Sequence, residues 1–151
     1  MLAVDADQKL DIEAAAIRLL SQTEQTFFQL KKKLLAKGFE PDQVIDVLNA
    51  LESQNLLSDK RFAEQYLSFR SRKGFGPLRI TQELREKGVD ENLLDSVIAD
   101  ACPDWSAIMQ TALQKKFGAT RALNYKDQAK RARFLEYRGF PASLISQFVF
   151  D

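Results

Sequence analysis

The sequence predicts an all-α protein built of three tandem three-helix repeats, helix-turn-helix-like units in an elongated, curved arrangement. Two observations carry this. Three segments align without gaps at offsets of 50 and 51 residues: LLAKGFEPDQVIDVL from Leu34, LREKGVDENLLDSVI from Leu84 and LEYRGFPASLISQFV from Leu135. Apolar residues elsewhere recur at helical spacing, and no segment alternates with period two for long enough to make a strand.

Each repeat opens on a longer helix, placed near Asp7–Ser21, Asp59–Arg72 and Trp105–Phe117, with Ser58 and Asp104 as caps of the second and third. Their apolar positions include Ile17 and Leu20, then Phe62, Tyr66 and Phe69, then Trp105, Ile108 and Ala112. A middle helix of about eleven residues, roughly 16 Å, follows. Its start is marked by the aligned cap residues Thr26, Gly76 and Asp127. Gln29 completes a capping box with Thr26, and Pro77 occupies a first helical position, where no hydrogen bond is lost. The middle helices end at the aligned Gly38, Gly88 and Gly139. Each glycine follows a cation, Lys37, Lys87 or Arg138, that suits the negative end of the helix. Each precedes an apolar residue, Phe39, Val89 or Phe140, that packs back on the last turn. The third helices then align Val44, Leu94 and Ile145, and Leu48, Ile98 and Val149.

The repeats are bounded at residues 1–57, 58–103 and 104–151. An eleven-residue helix is marginal alone, so each unit depends on packing within itself, and units that touch only their neighbours make a rod. A flexible joint is expected near Gly118–Asn124, where the repeat spacing slips.

Apolar residues make up 45% of the 151 and charged residues 28%, which suits a soluble globular chain. No apolar run spans a bilayer, and the acidic, polar start MLAVDADQKLD does not suit a secretory signal, so the expected location is the cytoplasm. The single Cys102 is read as a small packing residue. There is no histidine, which removes the commonest general base and metal ligand, and no glycine-rich nucleotide loop occurs. No cofactor, no metal and no catalysis are expected.

The net charge of +1 is unevenly spread: −3 over residues 1–58, −1 over 59–104 and +5 over 105–151. Two basic surfaces follow. One is Arg70, Arg72, Lys73, Arg79 and Arg85 around the turn RSRKGFGPLR; the other is Lys115, Lys116, Arg121, Lys126, Lys130, Arg131 and Arg133. They are either solvated helix faces or the binding surface for an anionic partner. The run Lys31–Lys33 is read as a solvated face. Most aromatics, Phe62, Phe69, Phe134 and Phe148 among them, fall at core positions. Phe75, between Gly74 and Gly76, either contacts a partner or plugs the first helix against the second.

The stretch RFAEQYLSFRSRKGFGPLRITQELREKGV, from Arg61 to Val89, resembles the signature of the RecX family. In that family a long helix ends in a basic turn, matched by Ser71, Arg72, Lys73, Gly74, Gly76, Pro77, Arg79 and Ile80, and continues into a motif matched by Glu83, Leu84, Lys87 and Gly88. The outer repeats match more loosely, through Thr26, Leu30, Lys33, Leu34, Lys37 and Gly38 and through Phe134, Leu135, Arg138, Gly139 and Phe140. The likeness covers roughly residues 9–149. Phe27 and Phe28 depart from it by making the first middle helix more apolar at its start.

The resemblance implies a protein that lies in the groove of the RecA–DNA filament, bridges RecA subunits, and blocks ATP hydrolysis, strand exchange and filament growth; a monomer is the default expectation, and the basic faces allow weak, non-specific contact with DNA. It implies a first contact patch of Arg70, Arg72, Lys73 and Arg79, flanked by Arg85, and a second of Lys130, Arg131 and Arg133, flanked by Lys115 and Lys116. Gly74, Phe75, Gly76 and Pro77 would present the first patch. Two other readings fit three-helix units: a DNA-binding module, against which the near-neutral charge argues, and a helical scaffold for an unrelated protein.

Overall fold

The structure, a computed structural model, describes residues 7–150. The N-terminal stretch that does not suit a secretory signal begins in residues outside that range. Among the described residues every regular element is a helix: α1 Lys9–Gln22, α2 Phe27–Ala36, α3 Pro41–Ser53, α4 Asp59–Arg72, α5 Pro77–Glu86, α6 Glu91–Ala101, α7 Trp105–Phe117, α8 Tyr125–Tyr137 and α9 Ala142–Val149. The all-α class and the helical-repeat fold read from the sequence are the ones found. Helices α4 and α7 start and stop on the expected residues.

Local chemistry explains most boundaries. Thr26 accepts from the Gln29 amide while Gln29 Oε1 accepts from the Thr26 amide, so the expected capping box opens α2. Its hydroxyl also donates to the Lys87 carbonyl at 2.6 Å, which accounts for a fully buried threonine. Glu40 caps α3 ahead of Pro41, and Asp104 caps α7 through the Ala107 amide. The third middle helix departs from the repeat. Its cap is Asn124, not Asp127, so α8 begins earlier and runs 13 residues. Asp127 is instead the third residue of the helix, and its carboxylate accepts from the Leu123 amide at 3.0 Å. Asparagine satisfies the orphan amides as well as aspartate does, and its earlier place in the chain wins the turn.

The chain divides into two compact units. One runs up to Ala63 and includes Lys87–Asp90; the other holds Glu64–Glu86 and the chain from Glu91 onward. The first has a core of Ile12, Ala16, Leu30, Leu34, Val44, Val47, Leu48 and Leu51, drawn from the apolar stripes of α1, α2 and α3, joined by Leu57 from the connection after α3. In the second, Met109, Leu135, Phe140, Ile145 and Val149 join α7, α8 and α9, while Ile80, Leu84, Leu94 and Val97 are the buried positions of α5 and α6.

The three aligned glycines all adopt the left-handed backbone, with φ of +93° at Gly38, +89° at Gly88 and +97° at Gly139. Within the second unit the turn Gly74–Pro77 is fastened to the turn after α8. The Gly76 amide donates to the Arg138 carbonyl at 2.8 Å and the Leu78 amide to the Gly139 carbonyl at 2.9 Å. A Cβ on Gly76 would lie 2.5 Å from the Gly139 oxygen, so glycine is what lets the two backbones meet.

Three sequence expectations need correction. Phe69, read as core, is half exposed with the Lys73 ammonium over its ring. Cys102, read as a packing residue, is exposed and left-handed at φ +44°, because α6 ends one residue before it. The joint at residues 118–124 is non-helical as expected, but it is tied down: Arg131 Nη1 donates to the Thr120 carbonyl at 2.8 Å.

Candidate partner-binding groove

The basic turn after α4 is organised by one carboxylate and one ring. Glu83, on α5, accepts from Arg70 Nε and Nη2 at 3.0 and 2.9 Å, from the Tyr66 hydroxyl at 2.8 Å and from Arg79 Nε at 3.4 Å. Burial pushes the Glu83 carboxyl up, but the hydrogen bonds of Arg70 and Tyr66 and the nearby guanidinium charges outweigh it and hold the group below its ordinary value. The same hub, led by burial, pushes the Tyr66 phenol up to about 12.

Phe75 is half-buried among arginines of the chain itself. Its ring centroid lies 3.8 Å from the Arg70 guanidinium and 4.6 Å from those of both Arg79 and Arg138. Cation–π attraction from three arginines holds a half-buried aromatic and keeps those arginines oriented on it. Arg138 donates to the Lys73 carbonyl at 2.9 Å and Arg79 to the Tyr137 carbonyl at 3.2 Å.

The cations therefore sort into two groups. Arg70 and Arg79, expected as contact residues, are ion-paired to Glu83 and only 18% and 31% exposed at the side chain. Arg85 is exposed but held in a two-point pair with Glu91, both bonds at 2.8 Å. Arg131, expected on a basic face, is buried: it stacks 5.1 Å from the Phe117 ring, pairs with Asp127 at 3.5 Å, and leaves its Nε without a partner. The reason lies in helix phase: residue 131 falls one turn before the core residue Leu135, on the inner stripe of α8.

Arg72, Lys73, Lys115 and Lys116 are different. All four are exposed, and none is paired with a carboxylate among the described residues. Arg72 reaches only the Ser68 carbonyl, and Lys73 and Lys116 lie over Phe69 and Phe134. They sit where α4 and α7 end, at negative helix termini that favour cations. These four come from both of the expected patches, and the fold brings them to the border of one groove. Its volume is about 390 Å³, and its apolar lining is Ala107, Ile108, Ala112 and Phe134. Lys130 and Arg133, also expected as contacts, are exposed on α8 but do not line it. Arg138 does line it and was missed as a site residue, because its place before a helix-ending glycine accounts for it without a partner.

No group of three or more histidine, cysteine or acidic residues able to hold a metal occurs among the described residues. No described helix is long and apolar enough to cross a membrane.

Two family models match the chain: "RecX, second three-helix domain" over residues 58–98 and "RecX, third three-helix domain" over residues 106–149. The chain is similar to the regulatory protein RecX of Halorhodospira halophila, with 39% identity over 134 residues covering 89% of this chain and 83% of the relative. It is similar to that of Legionella pneumophila strain Corby, at 38% over 133 residues and 88% and 89% coverage. It is also similar to that of Pseudomonas fluorescens strain SBW25, at 31% over 148 residues and 98% and 96% coverage. Among solved structures, the crystal structure of RecX from Lactobacillus salivarius superposes with a TM-score of 0.79 over 94% of both chains at 23% identity, a likeness of fold.

Proposed function

This chain belongs to the RecX family of regulatory proteins, and on that premise we propose that it is a negative regulator of the RecA recombinase. In this reading it binds the groove of the RecA–DNA filament as a cytoplasmic monomer of three repeats, 1–57, 58–103 and 104–151, and inhibits ATP hydrolysis, strand exchange and filament growth. It works by binding, with no chemistry of its own and no cofactor. The observation that carries the site assignment is the sorting of cations: the arginines around Phe75 are engaged inside the molecule, while Arg72, Lys73, Lys115 and Lys116 stay unpaired along one groove. Contact falls to these four first, with Lys130 and Arg133 as an outlying pair. Arg70, Arg79 and Arg85 hold the turn and its helices, and Arg131 serves the fold.

The test is RecA-dependent ATP hydrolysis on single-stranded DNA, titrated with this protein below one molecule per RecA. The rate is expected to fall. Changing Arg72, Lys73, Lys115 and Lys116 to Glu is expected to abolish that fall while leaving the helical circular dichroism unchanged, since none of the four has an internal carboxylate to lose. Full inhibition by the variant would remove the groove from the mechanism. Tight, sequence-selective duplex binding without RecA would favour a DNA-binding module instead.

A further inference from the structure

We infer that the groove between the ends of α4 and α7 takes a short acidic peptide segment carrying one aliphatic anchor side chain. This rests on the proposed reading and deepens it by assigning the chemistry of the partner segment. The groove has two chemistries at once. Its border carries Arg72, Lys73, Lys115 and Lys116, and its floor is made of Ala107, Ile108 and Ala112. Solvation and helix dipoles account for exposed cations, but they do not account for an apolar hollow among them. A ligand that satisfies both parts carries carboxylates flanking an apolar group.

Charge complementarity sets the sign. Arg61, Arg70, Arg79, Arg85 and Arg131 each meet a carboxylate of the chain itself, whereas the four cations at the groove meet none among the described residues. A carboxylate that joins them comes from a partner. Size sets the length. A hollow of about 390 Å³ lies near the small end of ligand pockets, enough for one or two side chains and too little for a folded element.

A nucleic acid fits less well. Strand binding uses free aromatic faces on which bases stack. The one ring at this groove, Phe134, is already engaged by Arg138 at 5.0 Å, by Lys116 at 5.9 Å and by the edge of Phe117 at 5.6 Å. The four cations also stand where α4 and α7 end, at carbonyl rather than amide termini, so a phosphate beside them meets side-chain donors.

The experiment measures fluorescence anisotropy of a dye-labelled peptide, Asp-Glu-Asp-Leu-Glu-Asp, with the full chain. It is compared with the same peptide carrying Ser for Leu and with a labelled oligothymidylate of equal charge. Thr111→Trp fills the floor from an exposed position whose hydroxyl serves only its own helix. Ala107→Gln makes the floor polar should the tryptophan disturb folding, and circular dichroism checks both. The Leu peptide is expected to bind, and to weaken by about tenfold or more with Ser in the peptide or with either floor variant. Equal binding of the Leu and Ser peptides, indifference to both floor variants, or tighter binding of oligothymidylate at the groove would each overturn the inference. Loss of RecA inhibition in the four-site Glu variant without peptide binding in the wild type would sink this inference alone. Peptide binding together with unchanged inhibition in that variant would sink the RecA contact alone.

Discussion

Gly38 and Gly88 occupy the same place in the repeat, and replacing each with alanine separates what the repeat shares from what each packing site adds. Both have nearly the same backbone, with φ of +93° and +89°, and both belong to the same compact unit. The backbone cost of a Cβ is therefore equal at the two, about 1–2 kcal/mol. At Gly38 a Cβ meets nothing within 4 Å, so that cost is the whole effect. At Gly88 a Cβ overlaps the Cβ of Phe28 and comes within 2.6 Å of its Cγ. Overpacking of this kind adds about 1–3 kcal/mol. The Phe28 Cβ is fixed by α2, so a rotation of the half-exposed ring does not relieve the overlap. The expected order of urea stability is wild type, then Gly38→Ala, then Gly88→Ala. A double-mutant cycle identifies the source. Its second arm is Phe28→Gly, not Phe28→Ala, because alanine keeps the offending atom. In the Phe28→Gly background the Gly88→Ala penalty is expected to fall to that of Gly38→Ala, a coupling of about 1–3 kcal/mol. Urea denaturation followed by circular dichroism at 222 nm reads all five proteins. Equal penalties for Gly38→Ala and Gly88→Ala, or no coupling to Phe28, would refute the packing argument.

Two further outcomes follow from the charged interior. Glu83→Gln is expected to lower stability at pH 7 by about 1–3 kcal/mol, since Arg70, Arg79 and Tyr66 lose a charged acceptor. Because the folded Glu83 carboxyl sits below its ordinary 4.5, its contribution is present above that value and fades as pH falls through the folded value. The gap between wild type and Glu83→Gln in melting temperature should therefore close on acidification, and a gap that widens would reject the hub. Arg131→Met keeps the volume but leaves the Thr120 carbonyl and the Asp127 carboxylate without their guanidinium partner, so stability is expected to fall by about 1–3 kcal/mol. Inhibition of RecA-dependent ATP hydrolysis by the folded variant should be unaffected; its loss in a protein that keeps its helical circular dichroism at the assay temperature would return Arg131 to the contact surface.

Secondary structure was legible in the chain because its causes are local. The period of apolar residues, the Thr26–Gln29 capping box, Pro77 at a first position and the glycine after each middle helix all act within about one turn of where they stand. Where two local signals competed, as Asn124 and Asp127 did for one cap, the reading slipped by a single turn. The candidate site was legible as a composition and not as a place. Arg72, Lys73, Lys115 and Lys116 were all named, but in two patches, alongside arginines equal to them in sequence and different in space.

The sequence by itself determined that the protein is helical, that it repeats, and that it gathers positive charge at the RSRKGFGPLR turn of its second repeat and over its third. Only the tertiary structure decided which of those charges are free. That choice rests on partners far apart in the chain: Arg138 on the Lys73 carbonyl 65 residues away, Arg79 on the Tyr137 carbonyl 58 away, Arg70 on Glu83 across a glycine turn. Every arginine has the same charge in the unfolded chain. Folding removes some from solvent by giving them carboxylates and rings, and leaves other cations exposed at helix ends beside an apolar hollow.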